Sequence, residues 1–174
     1  MDFLNSIKER MPEYAKDIRL NLDGVIARSI LAPEVALGVA LAAAFAAKSK
    51  PLIDAFKAAV PPAEGHAALT AATLMGMNNV WYPFVEMAED EELKTMRAEL
   101  RMNAYATSGG VAKLKFEAFA LAASIVGKCH FCVASHYALL KKEGLTTQQL
   151  RDIGRIAAVV NAAAQVIAAE QAPA

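Results

Sequence analysis

Apolar residues recur along this chain at helical spacing, and no stretch shows the period-two alternation of β-branched residues that a half-buried strand requires. Leu150, Ile153, Ala157, Val160, Ala164 and Ile167 fall on one helical face, which predicts a core or subunit interface. The sequence is rich in Ala, Leu, Met, Glu and Lys, the residues that lose least in a helix. These features predict an all-α chain folded as a single helical domain over residues 1–174. Pro12, Pro33 and Pro62 are expected in first turns, where a missing N–H costs nothing. Gly144 is expected to end one helix, and Thr146 with Gln149 forms a capping-box pattern that starts the next. The tail from Gln171 is expected to fray.

The chain repeats itself weakly at an offset of 51 residues, with His66-Ala-Ala-Leu-Thr-Ala-Ala-Thr-Leu-Met-Gly76 lying over Glu117-Ala-Phe-Ala-Leu-Ala-Ala-Ser-Ile-Val-Gly127. A degenerate repeat of two units, about 61–90 and 112–144, follows. Each unit is expected to be a helix, a glycine-terminated turn and a second helix packed back on the first. Asn78 and Asn79 take the places of Cys129 and His130, and asparagine is a strong N-cap, so Cys129 is expected at a helix N-terminus.

Charge excludes one class of partner. Eighteen Lys and Arg balance 18 Asp and Glu, and no basic stripe is interleaved with aromatics, so nucleic acid is not an expected ligand. The first 22 residues carry acids and bases throughout, without the apolar run of a secretory signal. Residues 35–47 form the longest strongly apolar stretch, short of the roughly 18 residues a membrane helix needs. The expectation is a cytoplasmic chain with no membrane partner. In that compartment, two cysteines close together point to reactivity or metal binding more than to a structural bridge.

Both cysteines lie in Gly127-Lys-Cys129-His130-Phe131-Cys132-Val-Ala-Ser-His136. On a helix, Cys132 and His136 share a face one turn apart. Cys129 and Cys132 are also one turn apart, close enough to close a disulfide. A helix N-terminus favours thiolate and an imidazole can accept the thiol proton, which together activate a nucleophile at neutral pH. The helix end favours Cys129 as that nucleophile, whereas proximity to His136 favours Cys132. If the chain reverses near Gly127 and Lys128, Glu117 comes level with His136 and can orient it, as the third member of a nucleophile-base-orienter set. The competing reading is a zinc-stabilised helical binding module, with Cys129, Cys132, His136 and either Glu117 or His130 as ligands. His66, in Glu117's place but with no cysteine beside it, is expected to be structural. Met75, Met77, Trp81, Tyr82 and Phe84 are expected to be packing residues.

The pattern Glu117, eleven residues, Cys129, two residues, Cys132, three residues, His136 resembles the active-site motif of the AhpD-type alkyl hydroperoxide reductases, of the carboxymuconolactone decarboxylase-like fold. PEYAKDIRLNL at 12–22, MGMNNVWY at 75–82 and LRMN at 100–103 are similar to that family in the same order, so the resemblance covers nearly the whole chain. It implies a homotrimeric, all-helical thiol peroxidase of antioxidant defence with no bound cofactor, which also reduces the peroxiredoxin AhpC. Its reducing equivalents would come from dihydrolipoamide on a lipoylated acyltransferase, regenerated with NADH by dihydrolipoamide dehydrogenase. The resemblance makes Cys132 the nucleophile, Cys129 its partner, and Glu117 with His136 a proton relay. One departure stands out. The family carries a histidine immediately before the second cysteine, where this chain has Phe131. His130, one place earlier, is a possible relay residue, but it points about 100° away around the helix.

Overall fold

A computed structural model of the chain describes residues 1–170. The expected fraying from Gln171 lies outside the described residues. Among those residues there are helices and turns and no strands: α1 (Asn5–Lys8), α2 (Lys16–Ala27), α3 (Pro33–Ala46), α4 (Lys50–Ala59), α5 (Pro62–Met87), α6 (Glu91–Thr95), α7 (Asn103–Ala106), α8 (Lys113–Gly127), α9 (His130–Lys142) and α10 (Thr147–Glu170). The all-α expectation holds.

Helix starts follow the prolines closely. Pro33 and Pro62 open α3 and α5, and Pro51 does the same for α4. Pro12 instead precedes a 3₁₀ turn, Glu13–Ala15, that feeds α2. The apolar run predicted at 35–47 is α3, buried nearly all round because α5, α8 and α10 enclose it. Small residues let these helices approach closely. A Cβ on Gly38 would stand 2.3 Å from the Phe119 ring of α8.

α10 begins as read. The Gln149 N–H donates to Thr146 Oγ1 at 3.2 Å and the Thr146 N–H donates back to Gln149 Oε1 at 2.9 Å, the reciprocal pair of a capping box. Before it, Gly144 takes φ +102° and the Leu145 N–H reaches back to the Leu140 carbonyl, closing α9 with a Schellman turn. The face from Leu150 to Ile167 is buried against α2, α3 and α8. By length and composition α10 is the one described helix able to cross a membrane, a property the sequence reading attached to no segment. Its alanines raise its hydropathy, while its apolar stripe belongs to the core.

The hairpin expected in the first repeat unit does not form. α5 continues unbroken through Gly76 to Met87, so residues 61–90 contain one long helix where a turn and a returning helix were expected. A left-handed residue just past the glycine would have ended the helix there, but Gly76 and the residues that follow it stay helical. In the second unit Lys128 does go left-handed, at φ 55°. Its N–H bonds the Ile125 carbonyl and the Cys129 N–H bonds the Ser124 carbonyl, which turns the chain back. α9 then packs on α8 as the sequence predicted. The turn is pinned from outside: Asn79 of α5 donates through Nδ2 to the Ala123 carbonyl at 3.1 Å, and a Cβ on Gly127 would lie 2.0 Å from that nitrogen.

Candidate functional site

Cys129 caps the N-terminus of α9, and its Sγ accepts from the Cys132 N–H at 3.2 Å. That capping position makes the first turn of α9 the meeting point of the two sulfurs. Their Cα atoms are 5.3 Å apart, and the sulfurs are joined as a disulfide. Cys129 is completely buried, with its Sγ 4.0 Å from the Asn78 carbonyl oxygen of α5. Cys132 is 4 % exposed, and it lines a cavity of about 360 Å³ together with Tyr82, Tyr105, Phe131, Ser135 and His136. Of the two sulfurs, Cys132 is the one a small molecule entering this cavity meets.

The register predicted for Glu117 and His136 is observed. Glu117 Oε2 lies 2.6 Å from His136 Nδ1, with both side chains more than nine-tenths buried between α8 and α9. Burial alone would push the Glu117 carboxyl upward, but hydrogen bonds from His136 and Tyr105, with a smaller contribution from Lys113, hold it below the usual carboxylate range. An ionised Glu117 can only accept, so Nδ1 of His136 carries a proton and Nε2 is the basic nitrogen of the neutral ring. Nε2 lies 3.2 Å from Met75 Sδ, a weak acceptor available once the ring is protonated.

Two residues of this cluster escaped the sequence reading. Tyr105, on α7, donates its hydroxyl to Glu117 Oε1 and stacks edge-on against Phe116. Met75 was expected to pack, and it does, but it also touches His136. Neither carries a local signal, since they lie 12 and 61 residues from their partners in sequence.

Other expectations are redistributed. His130 is 85 % exposed, with Glu86 of α5 as its charged neighbour at 3.9 Å, and it is not brought to Glu117 or Cys132. Phe131 is 55 % exposed and stacks on Tyr82 with ring centroids 4.3 Å apart, forming a wall of the thiol cavity. His66 is exposed on α5 and structural in no visible way. Among Met77, Trp81, Tyr82 and Phe84, none is core. α5 spans roughly 39 Å at 1.5 Å per residue, so its last turns overrun the bundle; Trp81 and Tyr82 are half-buried along an apolar groove and Phe84 is exposed.

The metal reading finds no geometry. Among the described residues no three of His, Cys, Asp and Glu converge as ligands. The cysteines are bonded to each other, His136 faces Glu117 and Met75, and His130 points outward.

Comparison with known proteins bears on the whole chain. The sequence profile of the carboxymuconolactone decarboxylase family matches residues 91–174. The alkyl hydroperoxide reductase AhpD of Maricaulis maris is 43 % identical over 171 residues, covering 96 % of this chain and 98 % of that protein. Its namesake in Rhodospirillum centenum is 42 % identical over 176 residues, 97 % of this chain and 92 % of its own length. The AhpD of Anaeromyxobacter dehalogenans is 43 % identical over 168 residues, with 94 % and 90 % covered. The chain belongs to the AhpD family. Membership extends beyond the matched profile to the N-terminal half, which supplies Asn78 and Tyr82 to the cavity.

Proposed function

We propose that this chain is a thiol-dependent alkyl hydroperoxide reductase and disulfide oxidoreductase acting through Cys132, Cys129, His136 and Glu117. The observation that carries the reading is the cavity-facing sulfur of Cys132, joined to buried Cys129 and set one turn from a histidine bound to a buried carboxylate.

In the reduced chain, Nε2 of His136 takes the Cys132 thiol proton, and Glu117 stabilises the imidazolium that results. The thiolate attacks the terminal peroxide oxygen. A sulfur–oxygen bond forms, the oxygen–oxygen bond breaks, and the alkoxide leaves as alcohol with the proton that His136 returns. The Cys129 thiolate then attacks the Cys132 sulfenic sulfur, forming the disulfide and expelling hydroxide. That hydroxide leaves as water with the proton given up by the Cys129 thiol. A dithiol restores the pair by two exchanges, the first at Cys132, the accessible sulfur, since exchange requires an open approach to the attacked atom.

Dihydrolipoamide on a lipoylated acyltransferase is the proposed dithiol, with NADH as the ultimate source through dihydrolipoamide dehydrogenase. No bound cofactor enters the proposed reaction. The same cysteine pair, when reduced, would pass its electrons to the disulfide of the peroxiredoxin AhpC. A cytoplasmic homotrimer is the proposed working form. His130 has no part in this scheme, and Phe131, with no exchangeable proton, only walls the cavity.

Turnover of cumene hydroperoxide with dihydrolipoamide tests the reading. Wild type is expected to turn over, Cys132→Ser to be inactive, and Cys129→Ser to accumulate mixed disulfides at Cys132. No turnover with either the peroxide or a peroxiredoxin disulfide as acceptor, together with one zinc ion per reduced chain, would replace the enzyme by the zinc-stabilised module.

A further inference from the structure

The Glu117 carboxylate has two oxygens and two donors. His136 Nδ1 occupies Oε2, and the Tyr105 hydroxyl occupies Oε1. Tyr105 is delivered from a different part of the chain than α8 and α9. It sits on the short α7, and its ring packs edge-on against Phe116, the residue preceding Glu117. It also lines the cavity that Cys132 faces, with its ring centroid 6.4 Å from that of His136.

We propose that Tyr105 is a positioning residue for the thiol chemistry: its hydroxyl fixes the Glu117 carboxylate in place and in its ionised form, so that Glu117 in turn fixes His136 with Nε2 as the base. The inference rests on the reading that His136 serves Cys132.

The chemistry of the three groups makes this assignment directional. A phenol at this site can only help as a donor, because burial and the adjoining carboxylate push its own ionisation upward and the proton stays on oxygen. A protonated Glu117 would have to spend its hydroxyl on one neighbour and would lose one of its two acceptor contacts. With Tyr105 donating to Oε1, ionised Glu117 satisfies both neighbours at once. The charged and titratable groups facing this carboxylate are few: His136 from α9, Tyr105 from α7 and Lys113 one turn earlier on α8, with Tyr82 of α5 acting on Tyr105. Removing the phenol hydroxyl therefore leaves His136 and the weaker pull of the Lys113 ammonium, among the described residues, to oppose the burial of a negative charge.

Tyr105→Phe removes the hydroxyl and keeps the ring on Phe116, so circular dichroism is expected to be unchanged. The primary readout is the titration of Glu117 by carboxyl-carbon NMR, together with the pH dependence of Cys132 alkylation by iodoacetamide in the reduced protein. The Glu117 titration is expected to shift upward by about one pH unit, the order expected for one lost hydrogen bond to a charged acceptor, and the thiol profile to shift the same way by less, since it feels the change only through His136. Replacing Tyr105 by 3-fluorotyrosine, a stronger donor, should move both the other way. If neither substitution moves the Glu117 titration, Tyr105 is packing alone and the proposal is overturned. If the Glu117 titration moves and the thiol profile does not, the positioning role at the thiol is overturned; whether His136 serves Cys132 is decided separately, by whether His136→Ala shifts that profile. Loss of peroxide turnover in the wild type would sink the proposed reaction while leaving both titrations to decide on Tyr105.

Discussion

Gly76-Met77-Asn78 and Gly127-Lys128-Cys129 stand 51 residues apart, follow closely similar alanine-rich helices, and meet different fates. At the first the chain stays helical and carries on to Met87; at the second it turns at Lys128 and begins a new helix capped by a cysteine. The glycines themselves explain little. A Cβ on Gly76 would meet nothing, whereas one on Gly127 would strike Asn79, which is the residue that ties α5 to the end of α8. The straight copy thus acts as the wall against which the bent copy makes its turn. What the difference teaches is that the candidate site arises where helix continuity is broken: the cap brings Cys129 to Cys132, and the reversal brings Glu117 to His136.

The largest expected effect contrasts the chemical groups of the two copies. His136→Ala should lower peroxide turnover by about 10²–10⁴, the range for losing a general base. His66→Ala, at the position matched to Glu117, should leave it within about twofold because that side chain is exposed and away from the cysteines. Comparable losses in steady-state kinetics for both variants would dissolve the distinction.

Stability should separate the two glycines. Gly127→Ala must displace Asn79 and its bond to the Ala123 carbonyl, and is expected to cost about 1–3 kcal/mol in urea unfolding. Gly76→Ala lies in a helix with open space around it and should gain roughly 0.5–1 kcal/mol. A destabilising Gly76→Ala would mean that the first copy also needs its glycine.

The acid side of the stability profile reports on the reversal. Glu117 is held below the usual carboxylate range in the folded chain, so its contribution is fully present above the unfolded value of about 4.3 and is lost as pH falls through the lower folded value. Urea unfolding between pH 3 and 6 should show that decline in wild type, and Glu117→Gln should make it shallower, with Asp152, also held low, keeping part of it. A small effect is also expected at His130. His130→Ala should keep turnover within a few-fold, as its ring is outside the cluster. A collapse of activity with the fold intact would place a relay residue at His130, one position before Phe131.

Local spacing carried much of this. The helical class, the buried stripe of α10, its capping box, the Gly144 stop and the Glu117–His136 register all depend on residues within about twenty positions of each other, where periodicity determines who faces whom. The straightness of α5 was not legible, because whether the residue after the glycine turns left-handed, as Lys128 does and Met77 does not, is decided by what packs around it. Tyr105 and Met75 were missed for a related reason: they reach the site from α7 and α5 by tertiary packing, and nothing in their immediate neighbours marks them. The aromatics at the end of α5 do pack, Tyr82 on Phe131 and Trp81 on Phe84, but outside the core, because aromatic residues signal full burial only while the helix remains inside it.

The central claim is that Cys129 and Cys132 cycle between dithiol and disulfide in the service of peroxide reduction. Mass spectrometry of the alkylated protein tests it most directly. Reduced chain should take up two alkyl groups; one equivalent of cumene hydroperoxide should remove two hydrogens and block both additions; dihydrolipoamide should restore them. Two freely alkylated cysteines in peroxide-treated protein that is still turning over would contradict the account.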